Sequence, residues 1–289
     1  MEAKSRGLVT ATGAIAPVVW GTTYVVTTEL LPSGHPMTAA AVRAIPAGLL
    51  LIAVTCAWPK AWGRLLVLSA LNIGAFFPLL FVAAYRLPGG LAAVVGAAQP
   101  FVVAVAALLL FQQRTPWQQL AWATLAVAGV ATAILTGTVT LDTIGILAAT
   151  AGTVAMALGI TLTRAWGSTG GLSGLASTGW QLLLGGLMIV PLIPVLDHGP
   201  FTLTGHAVVG YAWLSLIGAA LAYALWFNAA RQLPATSTSL LAVLSPVTAA
   251  ALGWAILQQN FTPIQIIGFT VALIASILGQ RRRPSRKEH

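Results

Sequence analysis

A chain of 289 residues that is 58% hydrophobic and only 7% charged, with a mean hydropathy of +0.90, is not a soluble domain; soluble domains carry charge at about a quarter of their positions. The net charge of +9 does not mark a nucleic-acid binder, because the basic residues are scattered through short connections and one tail. The expected fold class is an all-α integral membrane protein. Its single cysteine, Cys56, excludes an internal disulfide and is expected to be a small buried side chain.

Lys4 and Arg6 precede the first apolar stretch, as in a signal peptide, but the stretch runs to Leu31 and is read as a retained first helix. A spanning helix needs about 20 mainly apolar residues. Ten are expected, at 7–31, 36–58, 64–85, 89–111, 117–136, 143–164, 174–196, 207–229, 235–257 and 263–280. Turn residues separate them: Pro32-Ser33-Gly34, Pro59-Lys60, Pro88-Gly89-Gly90, Arg114-Thr115-Pro116, Gly137, Gly167 to Gly171, His198-Gly199-Pro200, Pro234, and Asn260 to Pro263. The segments lack strict alternation and are too long for barrel strands.

The charge distribution orients the chain. With the N-terminus inside, Lys4, Arg6, Lys60, Arg64, Arg114, Arg164, Arg231, Arg281, Arg282, Arg283, Arg286 and Lys287 all fall inside. Arg86 alone falls outside, together with Glu29, Asp142 and Asp197. Both termini are therefore expected in the cytoplasm of a multi-pass protein of the inner (plasma) membrane.

Two stretches repeat at an offset of 146 residues: Pro88 maps to Pro234, Gln99-Pro100 to Ser245-Pro246, and Gln112 to Gln258. Trp20-Gly21-Thr22 faces Met156-Ala157-Leu158, and Arg43 falls within a residue of Trp180-Gln181. The expected organisation is a first five-helix repeat over 1–140, a second over 141–280, and a basic tail over 281–289. An odd number of spans per half makes the second repeat inverted, wrapped with the first around a central cavity.

Enzyme signatures are absent: no His-Glu-x-x-His, Gly-x-Ser-x-Gly, Cys-x-x-Cys or phosphate-cradling Gly-x-x-x-x-Gly-Lys. His35, His198, His206 and His289 sit in connections, at helix ends or in the tail, so no metal and no cofactor are expected. Glu29 is the only acid inside an expected span, near its outer end. It reads either as a solvated helix end or as a proton site or gate. Arg43 lies about seven residues into the second span, and an intramembrane cation needs a partner or a wet cavity. It reads as structural pairing or as a contact to a substrate carboxylate.

Other candidates for the cavity wall are polar or aromatic residues inside apolar spans. Asn72, Gln99, Gln181 and Ser245 are polar at mid-depth, and Gln99 and Ser245 each stand directly before a proline. A mid-helix proline frees a carbonyl one turn back, so Pro88, Pro100, Pro234 and Pro246 are candidate hinges. Trp20, Tyr24, Phe77, Trp180 and Tyr223 complete the set, with Phe77 and Tyr223 equivalent under the offset. An aromatic cavity with few charges suits an amphipathic organic substrate rather than an inorganic ion. Small residues at Ala121, Ala123, Ala126, Ala128, Gly129, Gly268, Ala272 and Ala275 suit close packing of the fifth and tenth spans, away from substrate.

These residues resemble the EamA-type branch of the drug/metabolite transporter superfamily. The resemblance covers nearly the whole chain and rests on Trp20-Gly21-Thr22, Arg43, the Pro88–Pro100 and Pro234–Pro246 blocks, and Trp180-Gln181-Leu182-Leu183 with Gly185-Gly186. Within that branch the chain also resembles the YddG-type aromatic amino acid exporters. The resemblance implies ten helices in inverted repeats and a cavity formed by helices 1, 3, 4, 6, 8 and 9, which adds Met156 to the candidate cavity residues. Relatives often carry a glutamate just after helices 4 and 9, where this chain has Gln112-Gln113 and Gln258-Gln259. The expected function is a secondary transporter that exports small amino acids, aromatic or otherwise neutral, or related metabolites by alternating access. Its expected partners are the small-molecule substrate and the bilayer, with no nucleic acid, in a monomer or homodimer. Drug-like, sugar-nucleotide or lipid-linked cargo, or a non-transporting membrane scaffold, is the alternative.

Overall fold

Apolar segments in lipid satisfy their backbone internally only as helix or closed barrel. In the computed structural model of the protein, every regular element among the described residues is helical. The structure describes residues 2–87, 95–134, 142–167, 169–255 and 262–279.

The chain opens with α1 (Glu2–Gly21) and α2 (Thr23–Leu30), followed by α3 (Pro36–Thr55). Helix α4 (Gly63–Ser69) passes through a π segment (Ala70–Ala75) into α5 (Phe76–Arg86). Next come α6 (Gln99–Phe111), α7 (Trp117–Ile134), α8 (Thr143–Trp166) and α9 (Gly174–Ile189). A short 3₁₀ turn over Val190–Leu192 leads to α10 (Ile193–Leu196). Helix α11 (Gly205–Ala212) continues through a second π segment (Trp213–Leu221) into α12 (Ala222–Gln232). Helices α13 (Ala235–Leu241), α14 (Leu244–Ala255) and α15 (Pro263–Gly279) complete the described chain.

Six of these runs are long and apolar enough to cross a membrane: Gly7–Thr27, Pro36–Thr55, Gly63–Ala83, Thr143–Trp166, Gly174–Leu196 and Gly205–Gln232. The expected ranges 89–111, 117–136, 235–257 and 263–280 fall in part on the shorter α6, α7, α13–α14 and α15. The basic tail and Pro88 lie outside the described residues.

The structure corrects several expected boundaries. The first span is disturbed at Thr22, which joins α1 to α2 with helical dihedrals (φ −72°, ψ −18°) while its Oγ1 donates back to the Val19 carbonyl at 2.7 Å. A Cβ at Gly21 would stand 2.7 Å from the Ser245 carbonyl oxygen, so only glycine lets α1 cross α14 this closely. The span expected over 235–257 is interrupted by a turn at Ala242–Val243. The 174–196 span tightens at Pro191, where the missing N–H and fixed φ disturb the helical ladder. Helix α3 stops at Thr55, and Cys56 follows with φ +46°, exposed rather than buried.

Helices α7 and α15 pack on each other through their small residues, as their spacing suggests. A Cβ at Gly129 would stand 2.6 Å from the Gly268 carbonyl oxygen and 2.7 Å from the Ala272 amide nitrogen. Backbones in van der Waals contact are how apolar helices associate where lipid removes the hydrophobic drive.

Candidate functional site

A cavity of about 530 Å³ lies between α1, α2, α3, α5, α6, α8, α12 and the start of α14. Its lining carries Trp20, Arg43, Gln99, Met156, Tyr223, Ser245 and Pro246 from the sequence candidates. Among the described residues, none of its lining comes from α7 or α15.

The aromatic wall is built from two elements. Trp20, at the C-terminal end of α1, stands 4.9 Å from Tyr223 and 5.1 Å from Trp226, ring centroid to centroid. Tyr223 and Trp226 lie on one face of α12 at i, i+3 spacing. Tyr223 also meets Phe77 edge-on at 5.6 Å. These tilted and edge contacts are the arrangements that ring quadrupoles favour, and they fix the wall's shape.

Arg43 is 2% exposed and is the one cation in the described lining, which carries no carboxylate. Its guanidinium lies 5.1 Å above the Phe77 ring centroid, and Nη2 donates to the Gly218 carbonyl at 3.1 Å. Trp20 Nε1 donates to that same carbonyl at 3.0 Å. Gly218 belongs to the π segment Trp213–Leu221, so a distortion of the helix supplies the shared acceptor. Cation–π attraction and a carbonyl acceptor together make a charged side chain tolerable at this depth.

Polar atoms without partners collect on this wall. Thr23 Oγ1, Thr27 Oγ1, Gln99 Nε2 and Trp226 Nε1 are buried and make no hydrogen bond among the described residues, and all four residues line the cavity. Buried polar groups in native proteins are nearly always bonded, so such a cluster is where a polar ligand or water belongs. Sequence reasoning left Thr23, Thr27 and Trp226 out of the candidate set. Trp226 stands 146 positions after Leu80, also in the lining, so the repeat offset carried a signal for it.

Other candidates stand elsewhere. Asn72 and Gln181 are fully buried and face each other away from the cavity: Asn72 Nδ2 donates to Gln181 Oε1 at 3.0 Å and to Thr163 Oγ1 at 3.3 Å. The π segment Ala70–Ala75 aims Asn72 at α9 rather than at the cavity. Trp180 is drawn to the far end of α3, where Nε1 donates to the Ala57 carbonyl at 2.8 Å and the ring meets Trp58 and Trp62. Phe77 lies behind the wall, beneath Arg43. The Tyr24 side chain and Pro88 lie outside what is described. Pro234 lines a second, smaller hollow, and Pro100 stands in the first turn of α6, where its missing N–H costs no ladder bond. Among the described residues no three His, Cys, Asp or Glu side chains gather as for a metal.

Known proteins are similar to this chain in sequence, and a solved structure is similar in fold. The chain is 41% identical over 266 residues to Protein PecM of Dickeya dadantii, covering 92% of this chain and 90% of that one. It is 30% identical over 283 residues to a chloroplastic WAT1-related protein of Arabidopsis thaliana, covering 90% and 66%. A probable terminal-alkyne amino-acid exporter of Streptantibioticus cattleyicolor is 23% identical over 224 residues, covering 76% and 73%. A solved crystal structure that is 16% identical superposes with a TM-score of 0.79 over 94% of this chain and 96% of that one, a likeness of fold alone. The sequence profile of the EamA-like transporter family matches residues 7–135 and again 143–279, nearly the whole chain in two passes, and the protein is a multi-pass membrane member of that transporter family.

Proposed function

We propose that the protein is a secondary transporter that exports small amphipathic amino acids, or metabolites built like them, by alternating access. The observation that carries this reading is the juxtaposition of buried Arg43 with the aromatic wall and the unbonded polar atoms in one cavity. Arg43 receives the carboxylate as a planar fork. The faces of Trp20, Tyr223 and Trp226 receive the ammonium or the apolar body, because cations are attracted to the ring face and apolar groups gain by burial. Gln99 Nε2 and the hydroxyls of Thr23 and Thr27 take up the remaining polar contacts. The amino-acid exporter among the relatives supports the same cargo.

In this reading the chain crosses the membrane ten times as two inverted five-helix repeats, with both termini in the cytoplasm of an inner-membrane protein. At the end of the bundle bearing Arg164, two contacts hold elements together: Arg164 Nη1 donates to the Arg231 carbonyl, and Thr236 Oγ1 donates to Gln119 Oε1 at 3.0 Å. Releasing them while the opposite end closes is the exchange that alternating access requires. The disturbed helices at Thr22 and at Ala242–Val243 supply the joints.

Counterflow in proteoliposomes tests the proposal: unlabelled amino acids inside, a trace of labelled amino acid outside. Transient accumulation of label is expected, strongest for neutral and aromatic amino acids. No accumulation across the panel, by protein shown to be folded, sinks the amino-acid reading. Counterflow of an uncharged drug-like panel instead moves the cargo to that class.

A further inference from the structure

At the end of α8 away from Asp142, a second hollow of about 160 Å³ lies between the end of α6, the connection to α7 and the start of α13. Its polar lining includes Gln113, Arg114, Thr115, Gln119 and Arg164. Gln119 is already engaged in this conformation: it accepts from Thr236 and donates to Ser237 Oγ at 3.4 Å. Arg164 is steadied from behind, because its Nη1 donates to the Arg231 carbonyl. Arg231 adds a further cation beside this contact, and its own Nη1 is buried with no hydrogen bond among the described residues.

Among the described residues nothing anionic answers these arginines. The acidic residues whose side chains are described are Glu29, Asp142 and Asp197. Asp142 is taken by Arg86 at 3.3 Å, and Asp197 accepts from the Met37 and Thr38 amides at the N-terminus of α3. Asp142 caps the start of α8 and Arg164 lies near its end; a helix of 24 residues separates its ends by roughly 36 Å. Among the described residues none of Arg114, Arg164 and Arg231 makes an ion pair. Arg86 is paired with Asp142, whereas Arg114 and Arg164 both line the hollow.

The chemistry of this end is that of a membrane–water boundary. Trp117, beside the hollow, is 71% exposed, and Arg64 lies 5.5 Å over the Trp166 ring. Exposed tryptophan beside arginine is typical of headgroup depth. Basic pockets between helices at that depth recognise phosphate-bearing headgroups.

We propose that this hollow binds the phosphate of an anionic phosphoester. The forks of Arg114 and Arg164 grip its oxygens, with the Thr115 hydroxyl and Gln113 amide alongside. Guanidinium forks match phosphate oxygens in pairs, which a single ammonium cannot do. The site is separate from the central cavity and does not depend on what that cavity carries.

Full-length protein in a nonionic detergent tests this by native mass spectrometry and thermal unfolding. The probes are phosphatidylglycerol, phosphatidylcholine and inorganic phosphate, the last compared with chloride at equal ionic strength. Retained phosphatidylglycerol adducts that inorganic phosphate displaces identify a headgroup as the source. Stabilisation by inorganic phosphate without lipid adducts identifies a soluble phosphate. In either case Arg114→Gln with Arg164→Gln weakens binding at least tenfold, about 1.4 kcal/mol, and Arg86→Gln leaves it unchanged. The proposal is overturned if wild-type protein holds phosphatidylcholine as well as phosphatidylglycerol, if phosphate does no more than chloride, or if Arg86→Gln weakens binding as much. The wild-type comparisons decide the matter even if the double variant does not fold.

Discussion

Asn72 Nδ2 donates to Gln181 Oε1 at 3.0 Å, and the position 146 residues after Asn72 is Gly218, whose carbonyl accepts from Arg43 Nη2 at 3.1 Å. Arg43 and Gln181 themselves stand at corresponding places on α3 and α9. Each therefore meets a π segment, Ala70–Ala75 for Gln181 and Trp213–Leu221 for Arg43. The two contacts use the same geometry for different ends. Asn and Gln satisfy each other and close a buried polar layer. Arginine on a backbone carbonyl keeps its charge, and its place in the lining presents that charge to the cavity. One copy of the contact is structural, and the other is a candidate for binding.

The first prediction separates these roles at Arg43. Arg43→Gln retains a donor for the Gly218 carbonyl but removes the charge, so folding stability changes by less than about 1 kcal/mol, because a buried cation contributes little net stability. Counterflow of a carboxylate-bearing substrate falls at least tenfold. Arg43→Lys recovers only part, since a point charge lacks the fork. Full activity in Arg43→Gln would refute the carboxylate assignment while leaving the carrier intact.

Asn72→Ala leaves Gln181 Oε1 without its donor in a fully buried layer, at a cost of about 1–3 kcal/mol. Gln181→Ala costs a similar amount. The double variant costs less than the sum, because each single change already forfeits the shared bond. Thermal unfolding in detergent reads all three. The folded fraction of Asn72→Ala transports normally, since neither residue lines the cavity. A selective loss of transport would place Asn72 on the substrate path instead.

Much of the cavity was legible in the sequence because polar and aromatic residues stand out in apolar helices. Trp20, Arg43, Gln99, Tyr223 and Ser245 all fall on its wall, and so does Met156, which only the family resemblance implied. Asn72 stands out as strongly yet points elsewhere, since under-winding in the π segment Ala70–Ala75 turns its face and no residue preference encodes that turn. Thr23 and Thr27 were illegible for the opposite reason. Threonine in a helix ordinarily returns its hydroxyl to the preceding turn, as Thr153 and Thr161 do here. Only the structure shows that the hydroxyls of Thr23 and Thr27 do not. Cys56 looked like filler at the end of an apolar run, but that helix ends one residue earlier and leaves it exposed.

Gly129→Val tests the packing of α7 on α15. The new side chain begins 2.6 Å from the Gly268 carbonyl oxygen, closer than any real contact, so the helices must separate. Overpacking of this kind costs about 1–3 kcal/mol. The loss appears as a lower unfolding temperature with substrate affinity unchanged, because the pair lies outside the cavity. An altered substrate affinity with unchanged stability would contradict the assignment of α7 and α15 as scaffold.

Trp20 and Trp226 make a matched pair for the last prediction. Both rings line the cavity 5.1 Å apart, and both carry one N–H. Trp20 Nε1 is bonded to the Gly218 carbonyl, whereas Trp226 Nε1 is buried and bonded to nothing among the described residues. Trp20→Phe therefore loses a hydrogen bond and about 1 kcal/mol of stability. Trp226→Phe removes a donor with no hydrogen-bond partner among the described residues, so stability holds within about 0.5 kcal/mol beyond the smaller ring's lost packing. If substrate accepts from Trp226, the order reverses in transport: Trp226→Phe raises the KM several-fold, and Trp20→Phe changes it less. Unfolding temperatures and counterflow on the two variants measure both orders. Equal losses of stability, with equal KM values, would mean that the unbonded indole N–H has no part in recognition.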